Sequence, residues 1–430
     1  MDMADIHAGS CRDGNRHLRG VGRALACILT LIAAASAFAQ GGRFATVRSD
    51  QILSPEGKPV LLRGINLGNW LVPEGYMFKF EKPTSPRLIH QVLSELIGQD
   101  DARAFWRNFQ DSYITRDDIQ FIRKSGFNSV RVPFNYRLFT NEGYLAATEP
   151  RGFELLDRVI GWCSEAGLWV VLDMHCAPGG QTGDNIDDSW GYPWLFESAE
   201  SRAVIIDIWR RIAERYRTEE CVLGYDLMNE PIAPYFDIAK LNPLLEPLYR
   251  DIVHAIRTVD RNHLVFLGGA QWNTNFGVFG PPFDSLAVYT FHKYWCDTVQ
   301  AEIQPYIDFR ARHRVPLWMG ESGENKDRWI DSFRRLLERN DIGWCFWPFK
   351  KMDAPTCVLT FDRPDGYGSI VDYTETTRLS FEDLRRYRPD AGIVRKALAG
   401  FLENCRFARC RVNEGYVKAL GLAPPGGSTH

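Results

Sequence analysis

Apolar runs of five to nine residues recur along the chain, each closed by polar residues and followed by a stretch of helical spacing. Eight such runs are present: "LLRGIN" near Ile65, "SVRVP" near Val132, "LWVVLDMH" near Leu172, "VLGYDLMNE" near Leu227, "HLVFLGG" near Phe266, "AVYTFH" near Tyr289, "PLWMGE" near Met319 and "GWCFWPF" near Phe346. Near-continuous apolar character marks strands buried on both faces, as in parallel sheets. Between them, "RGFELLDRVIGWCSEAG", "SRAVIIDIWRRIAERYR" and "LLEPLYRDIVHAIRTVD" carry apolar residues at helical spacing, the first stopping at Gly167. Eight strand–helix units predict an α/β fold, a (β/α)8 barrel. "FATVRSDQILSPEGKPVLL" ahead of them reads as an N-terminal hairpin. A doubly wound open sheet is the rival, but "RGINLGNW" lacks the glycine spacing of a dinucleotide turn.

Two segments exceed a minimal barrel. Residues 71–126, after the first strand, hold helices of their own. "CAPGGQTGDNIDDSWGYPWLFES", after the third, is a Gly-, Asp- and aromatic-rich loop that reads equally as substrate-facing or as solvated. The barrel is assigned to residues 40–403. Residues 404–430 are expected to form a C-terminal tail, frayed at "LAPPGGSTH".

Composition narrows the class. The chain has 430 residues, 45% hydrophobic and 13% aromatic, enough for a large core, and its net charge of −3 gives no reason to expect nucleic acid or an acidic membrane as partner. Thirteen Trp suit sugar stacking, although packing accounts for most of them. Arg12, Arg16, Arg19 and Arg23 precede the apolar run Ala24–Ala39, which ends Ala37-Phe38-Ala39. That order predicts a cleaved export signal over residues 1–39 and a secreted or periplasmic product without a stable membrane anchor; an uncleaved anchor is the other reading. Export permits disulfides, but sequence does not pair the eight remaining cysteines. No close pair of Cys-x-x-Cys motifs suggests structural zinc.

In a (β/α)8 barrel, the C-terminal ends of the strands converge on one mouth. Here those ends hold Asn66, Arg131, His175, Asn229, Glu230, His292, Tyr294, Glu321 and Trp347. Each alone has a structural explanation: an Arg caps a helix, and a His or Trp packs a core. Together they are harder to dismiss, because independent strands end polar at corresponding places. Glu230 in "LMNE" and Glu321 in "WMGE" place two carboxyls on the fourth and seventh strands. Such a pair can divide the roles of acid and nucleophile at a glycosidic bond, and one ionised carboxylate raises the pKa of the other. Esterase and metallohydrolase chemistry lack their signatures: "GESG" is not Gly-x-Ser-x-Gly, and no His-Glu-x-x-His occurs.

"GYDLMNEP" and "PLWMGESG" resemble the acid/base and nucleophile signatures of glycoside hydrolase family 5, the cellulase-like retaining β-glycosidases. The resemblance continues in family order through "RGINLGNW", "GFNSVRVPFNY", "VVLDMHCAPG", "FHKYW" and "GWCFWPFK". It implies Glu230 as acid/base, Glu321 as nucleophile, and Asn229 as partner of the sugar 2-hydroxyl. It further implies Arg131 and Tyr294 around Glu321, His175 and His292 near the −1 subsite, and Trp347 as stacking floor. "RGINLGNWLVPEGY" and "DMHCAPGGQTG" are most similar to the exo-β-1,3-glucanase and β-glucosidase branch. The implied activity is retaining hydrolysis of a β-glucan or β-glucoside, with oligosaccharide or polysaccharide as partner and no metal or cofactor. Action on mannan or another β-glycan, transglycosylation, and carbohydrate binding without catalysis are the other readings. Cys176 and Ser322 stand where relatives often differ, which bears on the +1 subsite. Glu74 reads as a loop salt-bridge partner, with contact to the sugar or entrance as the alternative.

Overall fold

The computed structural model describes residues 43–142 and 150–425. The expected export signal lies outside the described residues. Eight parallel strands close into a barrel: β1 (Arg63–Asn66), β2 (Ser129–Asn135), β3 (Trp169–Cys176), β4 (Val222–Asp226), β5 (Leu264–Gly268), β6 (Ala287–His292), β7 (Leu317–Gly323) and β8 (Gly343–Trp347). β8 returns to β1, pairing Trp344 with Arg63 and Phe346 with Ile65. Every residue of β2, β4, β5, β6, β7 and β8 is buried, which is why these runs read as apolar throughout.

The hairpin (Thr46–Arg48 with Gln51–Leu53) is antiparallel, as expected. Ala45 and Ile52 pack with Val171, Leu223, Phe266, Val288, Trp318 and Cys345 from inside the barrel. The hairpin therefore plugs the end of the barrel opposite the mouth.

Three helices fill the long β1–β2 connection: α1 (Pro86–Ile97), α2 (Gln99–Ser112) and α3 (Arg116–Lys124). Around the barrel follow α4 (Gly152–Ala166), α5 (Ala199–Tyr216), α6 (Ile238–Arg257), α7 (Gln300–His313) and α8 (Asp327–Arg339). α4 stops where Gly167 takes a left-handed backbone, φ 68°, the conformation glycine adopts without penalty. The regular alternation fails at one place. β5 is followed by a single turn, Ala270–Asn273, and a short 3-10 segment, with no crossover helix.

Residues 404–420 pack against the rest of the fold, while most of "LAPPGGSTH", where fraying is expected, lies outside the described residues. Helix α9 (Ala391–Asn404) packs Phe401 flat on Phe78, ring centroids 5.1 Å apart. Arg411–Val412 then pairs antiparallel with Leu359–Phe361, and Tyr416, Val417 and Leu420 are buried. Burial of these apolar side chains, which their sequence spacing does not advertise, ties the segment down. Buried Lys350 joins the same region to the β1–β2 insertion: its Nζ lies 2.6 Å from Asp118 Oδ1 and donates to the Tyr113 and Cys405 carbonyls.

The eight described cysteines are all free, and Cys163, Cys176, Cys345, Cys357 and Cys405 are buried. No helix among the described residues is long and apolar enough to cross a membrane.

Candidate active site

The strand ends meet at a cavity of about 720 Å³ lined by His175, Glu230, His292, Tyr294, Glu321 and Trp347, together with residues from the loops after β1, β3 and β5. Arg131 and Asn229 lie buried just beneath it. Eight of the nine strand-end residues singled out in the sequence thus gather at one site, and the ninth, Asn66, is buried beside them and accepts from Arg131.

Glu321 sits inside β7, beside His292 of β6. Tyr294 donates its hydroxyl to Glu321 Oε1 at 2.7 Å, and Arg131 Nη1 donates to Oε2 at 3.0 Å. Both oxygens are thereby held in place by charged or hydroxyl donors. Arg131 also donates to Asp226 (2.8 Å), Asn66 (3.0 Å) and Asn229 (2.9 Å), and lies 3.1 Å from Asp173. Burial pushes Asp173 and Asp226 up to about 7 against the pull of Arg131.

Glu230 lies four residues past the end of β4, not on the strand as its apolar lead-in suggests. Its backbone is left-handed, φ 46°, an unfavourable state for a residue with a side chain. The β3 loop holds it there. Thr182 Oγ1 donates to the Glu230 carbonyl at 2.7 Å, and Gln181 Nε2 donates to the Asn229 carbonyl at 2.8 Å. Asp187 organises that loop, accepting from the backbone N–H groups of Thr182, Gly183 and Ser189. The loop therefore both clasps the Glu230 segment and lines the cavity through Asp184, Asn185 and Ile186.

Burial raises the Glu230 carboxyl to about 7, so it holds a proton near neutrality. The cause is mainly desolvation rather than repulsion from Glu321, with His175 and Arg131 pulling the other way. His292 Nδ1 lies 2.8 Å from Glu230 Oε1. Burial also lowers His175 to about 4 and His292 to about 3, so both rings are neutral. One ligand atom each of Glu230, His292 and Glu321 lies within 4.8 Å of the other two. Such a trio could hold a metal ion, but Arg131 and Tyr294 already engage both Glu321 oxygens.

Trp347, at the end of β8, lies parallel to the His175 ring at 5.5 Å. Its Nε1 donates to the Tyr76 hydroxyl at 2.8 Å, Tyr76 donates to Glu324, and Lys351 neutralises Glu324. A Cβ on Gly68 would meet the Trp347 ring at 2.5 Å, so only glycine lets the β1 loop approach it.

Glu74 forms no salt bridge among the described residues, contrary to the favoured reading. It is buried, lines the cavity, and its Oε1 has no hydrogen-bond partner. Burial, reinforced by Glu321, Glu324 and Glu230, drives its pKa well up. Trp272 and Trp295 line the cavity from exposed positions at its edge, and sequence reasoning passed over both. Cys176 and Ser322 are fully buried and do not line it.

Residues 94–353 match the profile of the cellulase family, glycosyl hydrolase family 5. A beta-xylosidase of Phanerodontia chrysosporium is 31% identical over 305 residues, covering 70% of this chain and 60% of that protein. Endoglucanase C of Acetivibrio thermocellus is 27% identical over 313 residues, covering 58% of this chain and 88% of the relative. The expected branch is represented by "Probable glucan 1,3-beta-glucosidase A" of Aspergillus fumigatus, 32% identical over 220 residues and covering 50% and 51% of the two chains. The chain thus spans little more than half the length of the first and third of these. In fold it is similar to an endogalactoceramidase crystal structure, with a TM-score of 0.57 and 18% identity over 89% of this chain and 86% of that one. The ordered strand-end motifs and the profile match over more than half the sequence lead to one conclusion: the chain belongs to the cellulase family, glycosyl hydrolase family 5.

Proposed function

We propose that this chain hydrolyses β-glucosidic bonds, in a β-glucan or β-glucoside, by double displacement. The observation that carries the reading is the approach of Glu230 and Glu321, whose oxygens come within 4.8 Å. Carboxyls about 5–5.5 Å apart suit a covalent glycosyl-enzyme, whereas an inverting site needs about 6.5–9.5 Å to admit water between them.

Ionised Glu321 attacks the anomeric carbon while Glu230 gives its proton to the departing oxygen. The glycosidic bond breaks and an ester to Glu321 forms. Glu230, now a carboxylate, takes a proton from water, which attacks the same carbon and releases Glu321. Two inversions leave the β configuration unchanged. Asn229 and Glu74 offer hydrogen bonds to sugar hydroxyls, and Trp347 stacks on the ring. No metal or cofactor takes part, and the basic, apolar N-terminal segment directs export.

Glu230→Gln and Glu321→Gln should each lower turnover of an unactivated β-glucoside by several orders of magnitude, and azide should rescue a Glu230→Ala variant on an activated aryl glycoside. Proton NMR of the first-formed sugar should show the β anomer; an α product would exclude double displacement. A panel of β-glucans, mannan, xylan and aryl glycosides identifies the sugar, and activity confined to mannan or xylan would overturn the glucoside assignment.

A further inference from the structure

Asn273 has none of the roles above, yet the chain goes to some length to place it. It closes the turn that replaces the crossover helix after β5. Gln271, Trp272 and Asn273 take three successive left-handed backbones, φ 50°, 58° and 60°. Residues with a side chain leave their ordinary conformation at a cost to take this one. The Gln271 side chain pins the turn by exchanging hydrogen bonds with Asn242 and accepting one from Asn275. The result is a fully buried Asn273 amide with Nδ2 3.1 Å from His292 Nε2. Space for it comes from Gly268 at the end of β5, where a Cβ would stand 2.2 Å from Asn273 Oδ1.

The consequence follows from donor and acceptor identities. An amide nitrogen only donates, so His292 Nε2 must present its lone pair. A neutral imidazole has one N–H, which then sits on Nδ1 and points at Glu230 Oε1, 2.8 Å away. Oε1 is thereby held as an acceptor. Among the described residues Oε2 has no hydrogen-bond partner. We propose that Asn273 is a positioning residue that fixes the Nδ1–H tautomer of His292 and so confines the transferable proton of Glu230 to Oε2. The proposal rests on Glu230 being the acid/base.

A second relay of the same form lies nearby. Asn229 Nδ2 is 3.3 Å from His175 Nε2, and His175 Nδ1 is 2.8 Å from Asp173 Oδ2. There Arg131 also fixes the amide by donating to Asn229 Oδ1. Asn273 Oδ1 is buried and accepts no hydrogen bond among the described residues. The Asn273 relay ends on Glu230, the carboxyl that handles the proton, and the Asn229 relay on Asp173, a carboxyl beneath the site.

Two variants test this. Asn273→Asp keeps the size but offers only acceptors, demanding an Nε2–H and turning the Nδ1 lone pair toward Glu230. The acid proton is then drawn to Oε1. Asn273→Gly removes the amide and suits the left-handed backbone. In protein with 15N-labelled histidine, wild-type His292 should show a protonated Nδ1, the Asp variant a protonated Nε2, and the Gly variant a mixture.

Phenyl and 2,4-dinitrophenyl β-glucosides separate acid assistance from the rest of the reaction. The Asp variant should lose about tenfold or more in kcat/KM on the phenyl substrate, and less than about threefold on the dinitrophenyl substrate, whose leaving group departs unaided. A protonated Nε2 in the wild type, or equal losses on both substrates, overturns the proposal. Should the Asp variant fail to fold, the Gly variant decides, because a pure Nδ1–H tautomer there shows that Asn273 does not set it. Glu230→Gln assayed alongside tests the underlying reading separately. If that variant keeps phenyl glucoside turnover, Glu230 is not the acid, whatever the tautomer of His292.

Discussion

Arg131→Lys preserves charge while changing geometry, and so isolates what the guanidinium contributes. Arg131 is fully buried, and its donors reach Asp226, Asn66, Glu321 and Asn229 at 2.8–3.0 Å, with Asp173 at 3.1 Å. These partners surround a planar fork. An ammonium has three donors on one atom and a shorter reach, so it cannot serve them all. One or two hydrogen bonds to charged or polar partners are lost. At about 1.5–3 kcal/mol each, the variant should unfold ~2–6 kcal/mol more easily. Arg131→Met should do worse, because it strands three buried carboxyls without a counter-charge, and breaking even one buried ion pair costs about 3–5 kcal/mol. Urea unfolding followed by tryptophan fluorescence measures this as a lowered midpoint at unchanged slope. A Lys variant within about 1 kcal/mol of wild type, or a Met variant more stable than Lys, would refute the reasoning.

Three further outcomes are expected. Because Glu230 is raised from 4.5 to about 7 by burial, kcat/KM on an unactivated substrate should fall as pH rises through about 7 and the acid proton is lost. The same shift has a stability sign: the folded state holds this proton more tightly, so the contribution is full below about 4.5 and disappears as pH rises through about 7, which denaturation at pH 4.5 and 7.5 checks for wild type against Glu230→Gln. Gly68→Ala would put a methyl 2.5 Å from the Trp347 ring and displace that ring from the cavity wall, so kcat/KM should fall about 10- to 100-fold while circular dichroism stays unchanged. Truncation after Asn404 removes buried Tyr416, Val417 and Leu420 and should cost about 5 kcal/mol or more, read as a lowered melting temperature or an insoluble product.

The eight strands were legible because each is buried on both faces and breaks into polar residues at the mouth. Glu230 and Glu321 were legible for the same reason, since a carboxyl directly after an apolar run has few structural uses. What escaped depends on contacts distant in sequence. Glu74 looked like a loop charge because nothing nearby announces burial under the cavity wall. Asn273 lies in "GGAQWNTN", where the paired glycines signal only a close approach, and its meaning resides in a histidine at the end of the neighbouring strand. The segment beyond Asn404 has too short an apolar pattern to declare a strand that pairs with Leu359–Phe361. The missing helix after β5 is hidden likewise, because the turn is held by side-chain amides rather than by periodic apolar residues.

Asn66 is where barrel closure and site chemistry meet. Its Nδ2 lies 3.1 Å from the Gly320 and Cys345 carbonyls and 3.3 Å from that of Phe346, while its Oδ1 accepts from Arg131. The first strand of the barrel is thus clipped to the last two by the same side chain that orients the guanidinium beneath Glu321. These pairings join residues more than 250 apart in sequence, and contacts of such long loops are the slowest to form. In a refolding experiment, catalytic competence should therefore appear with the final ring closure rather than with secondary structure, making enzyme turnover a clock for the last step of folding.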